Sequence, residues 1–135
     1  MSVGRICLRE VYLADANECV AAAARRMKQQ NVGTLVVLDE ASEPIGIVTD
    51  RDLALRVVAT EQPGSTEVRE IMSQLPDVVE ESISIESALA VMRAGRHRRL
   101  PVVDSAGKLV GILSLDDILE LLAEEFKNIG ELVER

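Results

Sequence analysis

Short apolar runs and longer segments of helical periodicity alternate along the chain. Residues 34–38 (TLVVL) and 100–104 (LPVVD) are nearly uninterrupted apolar runs, which predict buried strands. Turn-forming residues follow each run, DEASE after the first and DSAGK after the second, and lead into a further apolar run, IGIVT or LVGIL. Each half of the chain is therefore predicted to contain two strands joined by a turn.

Helical periodicity precedes each of these strand pairs. Two windows carry apolar residues at helical spacing: Val20, Ala23, Ala24 and Met27 in the first, and Ile85, Ala88, Leu89 and Met92 in the second. Asn17 and Ser82 are residue types that cap helix N-termini. Gly33 and Gly95 are expected just past the helix ends, where glycine commonly terminates a helix.

The pattern completes each half with two more elements. Helices are predicted after the strands, over about 51–60 and 115–127, and short extended segments are expected at Val11–Leu13 and Val78–Val79. Each half then has the order β-α-β-β-α. A unit of about 60 residues buries too little surface to be secure alone, so we expect the halves to pack together.

The two halves share one register. The phrase GIVTDRDL at 46–53 returns as GILSLDDI at 111–118, an offset of 111 − 46 = 65 residues. The same offset aligns many other residues: Val3 with Val68, Ile6 with Ile71, Val20 with Ile85, Met27 with Met92, Leu35 with Leu100 and Asp39 with Asp104. The chain is predicted to be a tandem duplication: 1–60 as repeat 1, 61–67 as a polar linker, 68–127 as repeat 2 and 128–135 as a C-terminal helical tail.

Composition restricts the classes of partner. The formal net charge of −8 repels nucleic acid and anionic membranes, and the only aromatic residues, Tyr12 and Phe126, cannot form a base-stacking platform. Two cysteines, Cys7 and Cys19, indicate neither a disulfide framework nor a CxxC metal motif. The sequence shows no signal-peptide pattern and no apolar run near 18 residues, which favours a cytoplasmic protein.

The repeated phrase places a hydroxyl and a carboxylate three residues apart at a predicted helix start. Thr49 with Asp52, and Ser114 with Asp117, have the spacing of a capping box, which satisfies free backbone N–H groups. The same groups suit a nucleoside monophosphate, because hydroxyl and helix N–H groups bind phosphate and a carboxylate accepts from ribose hydroxyls. Such caps are common, so the pair taken alone favours capping, but the two interpretations are compatible.

The register and the phrase together resemble a tandem pair of cystathionine β-synthase (CBS) domains, also called a Bateman module. The resemblance rests on NVGTLVVLD and GIVTDRDL in the first half, and on VREIMS, RRLPVVD and GKLVGILSLDDI in the second. It implies an α/β (α+β) fold of two β-α-β-β-α repeats, packed with pseudo-twofold symmetry and with two equivalent clefts. It also implies adenine-nucleotide sites, with phosphate contacts from Thr49 and Ser114 and ribose contacts from Asp52 and Asp117.

The two halves differ in a basic cluster, GRHRRLP at 95–101. Such a run is by itself typical of a solvated loop. In the γ subunit of AMP-activated protein kinase, which this stretch resembles, a basic pair at the matching place contacts nucleotide phosphate; here the pair is Arg98 and Arg99. Their counterparts, Gly33 and Thr34, carry no charge. We therefore expect unequal sites, the first repeat's being the tighter if the pair reaches across the cleft.

The sequence contains no pattern of a nucleophile with a base and no metal-ligand cluster, so we expect a protein that is not an enzyme. The resemblance implies a regulatory module that binds AMP, ADP, ATP or S-adenosylmethionine and signals to a separate protein. No cofactor is required, and Mg²⁺ would accompany only a bound polyphosphate. The alternative is a structural or dimerisation scaffold without a physiological nucleotide. A homodimer is expected under either alternative, because the last segment carries an apolar stripe: Ile118, Leu119, Leu121, Leu122 and Phe126.

Overall fold

The structure, a computed structural model, describes residues 1–74 and 77–134. It divides into two compact units. The first unit is Glu10–Val78, and the second unit combines Met1–Arg9 with Val79–Arg135. Each unit therefore contains most of one sequence repeat together with the opening segment of the other.

The first unit is a four-stranded sheet with helices. Its elements are β1 (Leu13–Asp15), α1 (Val20–Gln30), β2 (Thr34–Leu38), β3 (Pro44–Thr49), α2 (Asp50–Leu53), α3 (Val68–Ile71) and β4 (Ser73–Gln74). The strand order is β1-β2-β3-β4, with β1 parallel to β2 and the other neighbours antiparallel. A π-helical stretch, Ala54–Val58, continues α2. Leu35, Val37 and Val48 are fully buried in the core of this unit.

The second unit repeats this arrangement. A 3-10 turn (Val3–Arg5) is followed by β5 (Val79–Glu80), α4 (Ile85–Gly95), β6 (Arg99–Val103), β7 (Leu109–Ser114) and α5 (Leu115–Val133). The strand order is β5-β6-β7. The backbone of Leu8 exchanges two hydrogen bonds of 2.9 Å with Ile112 in β7, which is the place that β4 occupies beside β3.

The 65-residue offset is reproduced in the element bounds. α4 begins and ends 65 residues after α1, and β6 and β7 stand in the same relation to β2 and β3. Even the irregularity in the strand register recurs, after Val37 in one sheet and after Val102 in the other. The prediction of two tandem repeats with a mixed α/β fold is confirmed.

The predicted N-caps of the first helix in each repeat are wrong. α1 begins after Cys19 and α4 after Ser84, each two residues beyond the expected Asn17 and Ser82. The first N–H groups of α1 need no side-chain cap, because they donate to the backbone carbonyls of Thr66 (2.8 Å) and Gly64 (3.0 Å). In α4 the cap is Ser84, whose hydroxyl accepts from the Ser87 N–H at 3.1 Å.

The predicted glycine C-caps also differ from the structure. The residues in the left-handed conformation are Asn31 (φ 54°) and Arg96 (φ 56°), while Gly95 is the last residue of α4. Asparagine adopts this conformation readily, whereas arginine does so at some cost. Gly33 has another role: its carbonyl accepts from the Asp50 N–H at 3.0 Å.

Other boundaries shift by a few residues. The segments expected at Val11–Leu13 and Val78–Val79 form strands at Leu13–Asp15 and Val79–Glu80. The helix expected at 115–127 continues to Val133 without interruption. No helix in residues 1–74 and 77–134 is long and apolar enough to cross a membrane.

Candidate functional site

The repeated phrase lies where a strand passes directly into a helix. Thr49 is the last residue of β3 and the N-cap of α2. The Thr49 hydroxyl accepts from the Asp52 N–H at 3.1 Å, and the Asp52 carboxylate accepts from the Thr49 N–H at 2.9 Å. This reciprocal pair is a complete capping box and holds the two side chains in one orientation.

The second copy has the same geometry. Ser114 ends β7 and caps α5; its hydroxyl accepts from the Asp117 N–H at 3.1 Å. The Asp117 carboxylate accepts from the Ser114 N–H at 3.2 Å. The capping role that the sequence left open is confirmed in both copies.

The capping boxes leave part of the hydrogen-bonding capacity of both side chains unused. Each hydroxyl uses one lone pair, and within the described residues neither Thr49 nor Ser114 donates its own hydrogen to a protein acceptor. Each carboxylate commits one oxygen to the N-cap N–H, so its other oxygen can accept a further bond. Each copy therefore presents a hydroxyl donor beside a carboxylate acceptor, as a phosphate and a ribose would require.

The glycine of each phrase allows the close approach of the protein's own chain. A Cβ atom at Gly46 would lie 2.6 Å from the Met72 sulfur and 2.8 Å from the Ser73 carbonyl oxygen. At Gly111 it would lie 2.7 Å from the Leu8 carbonyl oxygen. These glycines are needed for the packing of the opening segments, so they give no separate evidence of a ligand.

Arg98 and Arg99 lie beside the second copy. The Arg98 carbonyl accepts from the Leu115 N–H at 2.8 Å, and the Arg98 guanidinium is 3.7 Å from the Asp116 carboxylate. Arg99 is directly opposite Ser114 in the β6–β7 ladder. Residues opposite each other in a ladder project from the same face of the sheet, with Cβ atoms about 5 Å apart. Positive charge is thus available next to Ser114.

The first copy has no charge at the matching positions. Thr34 is opposite Thr49 in the β2–β3 ladder, and Gly33 accepts from Asp50 as Arg98 does from Leu115. The Asp50 carboxylate lies above Gly33, since a Cβ atom there would be 2.8 Å from its Oδ2. The hydroxyl end of the first copy is therefore bordered by a carboxylate and that of the second by arginine side chains.

Arg56 is a residue near the site that the sequence analysis did not identify. Its Nε lies 3.8 Å from the Asp52 Oδ1, and the Asp52 side chain is only 14% exposed. The signal available in the sequence was the spacing of four residues between an acid and a base, which places them on one helix face. That spacing is too common to identify a functional pair.

The described residues contain no group of three or more His, Cys, Asp or Glu side chains that could hold a metal ion. A cavity of about 430 Å³ lies at the other end of β2, with mainly acidic polar groups in its lining: Asp15, Asn17, Glu18, Asp39 and Glu40. The Asn17 amide donates to the Glu40 carboxylate at 2.7 Å, and this bond lowers the pKa of Glu40. Such a surface repels a phosphate, so it does not compete with the phrase as a nucleotide site.

Comparison with known proteins supports the relationship that the sequence pattern indicates. The CBS domain family model matches the chain twice, at residues 3–59 and 68–124. Protein MK0525 of Methanopyrus kandleri is 37% identical over an alignment of 139 positions, which covers 97% of this chain and 71% of that protein.

Solved structures agree with this result. A protein with CBS domains from Burkholderia ambifaria MC40-6 superposes with a TM-score of 0.76 and 34% identity, covering 90% of this chain and 93% of that one. The CBS domain pair of protein MJ0100, solved in complex with 5′-methylthioadenosine and S-adenosyl-L-methionine, superposes with a TM-score of 0.78 and 25% identity, covering 93% and 98% of the two chains. Both the sequence and the fold lead to the same conclusion: the chain belongs to the CBS domain family and contains two CBS domains in tandem.

Proposed function

We propose that this protein is a non-enzymatic regulatory module that binds an adenine nucleotide through the repeated phrase and signals to a separate protein in the cytoplasm. The observation that carries the proposal is the arrangement at Thr49/Asp52 and at Ser114/Asp117. In both copies a hydroxyl and a carboxylate are fixed by reciprocal hydrogen bonds, and both retain capacity for a ligand.

The ligand classes that we propose are AMP, ADP, ATP and S-adenosylmethionine. The hydroxyls of Thr49 and Ser114 would contact a phosphate or the group that replaces it, and Asp52 and Asp117 would accept from the ribose. MJ0100, which is similar in fold, was solved with two adenosine derivatives, and this supports an adenosine-containing ligand. A polyphosphate would bring Mg²⁺ with it; the protein needs no other cofactor.

The two copies are proposed to differ in their preference for phosphate. Arg99 opposite Ser114, together with Arg98, favours a phosphorylated ligand at the second copy. Asp50 above Gly33 disfavours phosphate at the first copy. Isothermal titration with AMP and with adenosine, on Asp52→Ala and Asp117→Ala proteins, would measure each copy separately. The proposal requires binding in the wild-type protein that at least one of these variants loses.

A specific observation favours a second candidate function. Both capping boxes are complete without a ligand, so the phrase has a sufficient role in the fold. The protein would then be a structural or dimerisation scaffold with no physiological nucleotide. Titration distinguishes the two functions, because a scaffold would bind neither AMP nor adenosine.

We also propose that the protein forms a homodimer through α5. Five exposed apolar residues along this helix follow a 3-4 spacing that matches the seam of a helix pair: Leu119, Leu122, Phe126, Ile129 and Val133. Phe126 is 73% exposed and Val133 78%, which is unfavourable for a helix facing only water. A second copy would offer the same stripe, so the interface would be self-complementary. We propose the domain bounds 1–60 and 68–127 for the repeats, 61–67 for the linker and 128–135 for the C-terminal tail. The tail would contribute the far end of this stripe.

A further inference from the structure

Arg56 connects the first copy of the phrase to the segment that opens the second repeat in sequence. Its Nη1 donates to the carbonyls of Ile71 (3.1 Å) and Met72 (3.3 Å), and its Nε lies 3.8 Å from the Asp52 Oδ1. Ile71 ends α3, where carbonyl groups lack partners and a cation is favourable. One guanidinium therefore bridges the candidate ribose carboxylate and the C-terminal end of α3.

The segment held by Arg56 is also in contact with the phrase itself. Residues 68–74 comprise α3 and β4, and β4 pairs with Gly46 and Ile47 of β3. The Met72 sulfur lies against Gly46, the first residue of the phrase. Arg56 therefore links Asp52 to residues 68–74, and these residues pair in turn with β3, the strand that ends at Thr49.

The second copy lacks this bridge. The counterpart of Arg56 is Leu121 (56 + 65), which packs against the apolar core of the second unit. The opening segment of that unit is held by a different arginine, Arg9, which donates to the Gly4 carbonyl at 2.8 Å and to Glu81 at 3.2 Å. Within the described residues, neither of these contacts involves Asp117 or Ser114.

We propose that Arg56 is a positioning residue of the first copy, which orients Asp52 for a ligand and links its occupancy to the order of residues 68–74. The proposal rests on the proposed function, since it requires a ligand whose ribose hydroxyls donate hydrogen bonds to the Asp52 carboxylate. A ligand that needs Asp52 in this orientation stabilises every contact that maintains the orientation. The arrangement predicts that binding at the first copy protects the 68–74 segment, and that binding at the second copy has no such effect on residues 1–9.

The first arm of the test needs no ligand. Amide hydrogen exchange would be followed in residues 68–74 of the full chain. Arg56→Leu should accelerate exchange about tenfold, because it removes a charged donor from two carbonyls. Asp52→Asn, which keeps an oxygen to cap Thr49, should accelerate exchange about two- to fivefold, since the ion pair is partly exposed.

The double variant distinguishes a bridge from two separate effects. If Arg56 transmits the influence of Asp52, the Asp52→Asn/Arg56→Leu protein should exchange no faster than Arg56→Leu alone. Asp117→Asn is the matched control from the other repeat and should leave exchange in residues 1–9 unchanged. Multiplicative effects in the double variant, or an equal effect of Asp117→Asn on residues 1–9, would overturn the proposal.

The second arm uses saturating AMP on the Asp117→Ala background, in which only the first copy can respond. AMP should slow exchange in residues 46–53 and 68–74. With Arg56→Leu added, the dissociation constant should rise about three- to tenfold, and the protection of 68–74 should disappear while that of 46–53 remains. Arg9→Leu is the control that breaks the corresponding contact in the second unit, and it should leave both effects of AMP intact.

The outcomes separate the two claims. Absence of binding of AMP, ADP, ATP and S-adenosylmethionine to the wild-type protein and to every variant contradicts the proposed function. Normal binding with unchanged protection of 68–74 in Arg56→Leu contradicts the role of Arg56 alone. A purely structural Arg56 would lower the melting temperature and leave both the dissociation constant and the AMP-dependent protection as they are in the parent protein.

Discussion

Arg99 and Ser114 occupy directly opposite positions in the β6–β7 ladder, and the same positions in the first repeat hold Thr34 and Thr49. The backbone around the two hydroxyls is alike, because both copies continue into a capped helix. The difference between the copies is therefore mainly one of charge. A residue in one repeat can therefore be replaced by the residue that occupies the matching position of the other repeat.

Arg99→Thr replaces the arginine with the residue that the first repeat uses. We expect the affinity of the second copy for AMP to fall about three- to tenfold, because one positive charge near the phosphate is lost. The affinity for adenosine, which has no phosphate, should not change. Titration of the Asp52→Ala protein with and without Arg99→Thr measures both values.

Salt provides the check on this explanation. Because Arg99 is exposed, the loss caused by Arg99→Thr should shrink as ionic strength rises from 10 mM to 500 mM. An equal loss of AMP and adenosine affinity at all salt concentrations would mean that Arg99 acts through the fold and not through its charge.

The capping hydroxyls are expected to contribute to stability whether or not a ligand binds. Thr49→Ala and Ser114→Ala each remove the acceptor for an N–H group in the first helical turn. Each should lower the free energy of unfolding by about 1 kcal/mol, measured by urea denaturation. Thr49→Ser keeps the acceptor and is the control. If the alanine variants were as stable as wild type, the capping boxes would be unimportant to the fold.

The glycines of the phrase are predicted to be intolerant of a side chain. Gly46→Ala and Gly111→Ala would bring a methyl group within 2.8 Å of the Ser73 or 2.7 Å of the Leu8 carbonyl oxygen. We expect each variant to lose roughly 1–3 kcal/mol of stability, since backbone must move. Gly130→Ala is the opposite case: nothing lies within 4 Å, and alanine in α5 should stabilise the protein by about 0.5–1 kcal/mol. If all three alanine substitutions changed the free energy of unfolding equally, the steric explanation would be refuted.

The regular elements could be predicted because they depend on local pattern. The buried strand TLVVL and the Val20–Met27 periodicity are both readable within a few residues, and the structure has β2 and α1 there. The 65-residue offset then transferred each assignment to the other half. Thr49 and Ser114 were identifiable for the same reason, because a capping box is a local motif.

Features that depend on distant parts of the chain were missed. The N–H groups at the start of α1 donate to carbonyls of Gly64 and Thr66, which no local rule anticipates, so local pattern alone predicts the cap at Asn17. The pairing of Leu8 with Ile112 likewise places the N-terminal segment in the second unit. The role of Arg56 is not predictable from local pattern, because its main partners, Ile71 and Met72, are brought near only by the fold.

The α5 stripe predicts a specific effect on assembly. Phe126→Asp and Leu122→Glu place charges in the proposed seam, where a second helix would bury them without a partner. Sedimentation equilibrium should show a dimer for the wild type and a monomer for each variant. Lys127→Asp, a charge change beside Phe126 but off the 3-4 stripe, is the control and should remain dimeric. A wild-type monomer at all accessible concentrations would contradict the dimer.

The most direct test of the central claim is thermal unfolding with millimolar AMP, ADP, ATP and S-adenosylmethionine, compared among wild type, Asp52→Ala and Asp117→Ala. A ligand at 100 times its dissociation constant adds about 2.7 kcal/mol, which raises the melting temperature of a protein of this size by several degrees. Each shift is taken relative to the same protein without ligand, because the alanine variants also lose part of a capping box. We predict a shift for at least one ligand that Asp52→Ala or Asp117→Ala reduces or abolishes. No shift with any of the four ligands would contradict the nucleotide-binding function and leave the scaffold as the role of this protein.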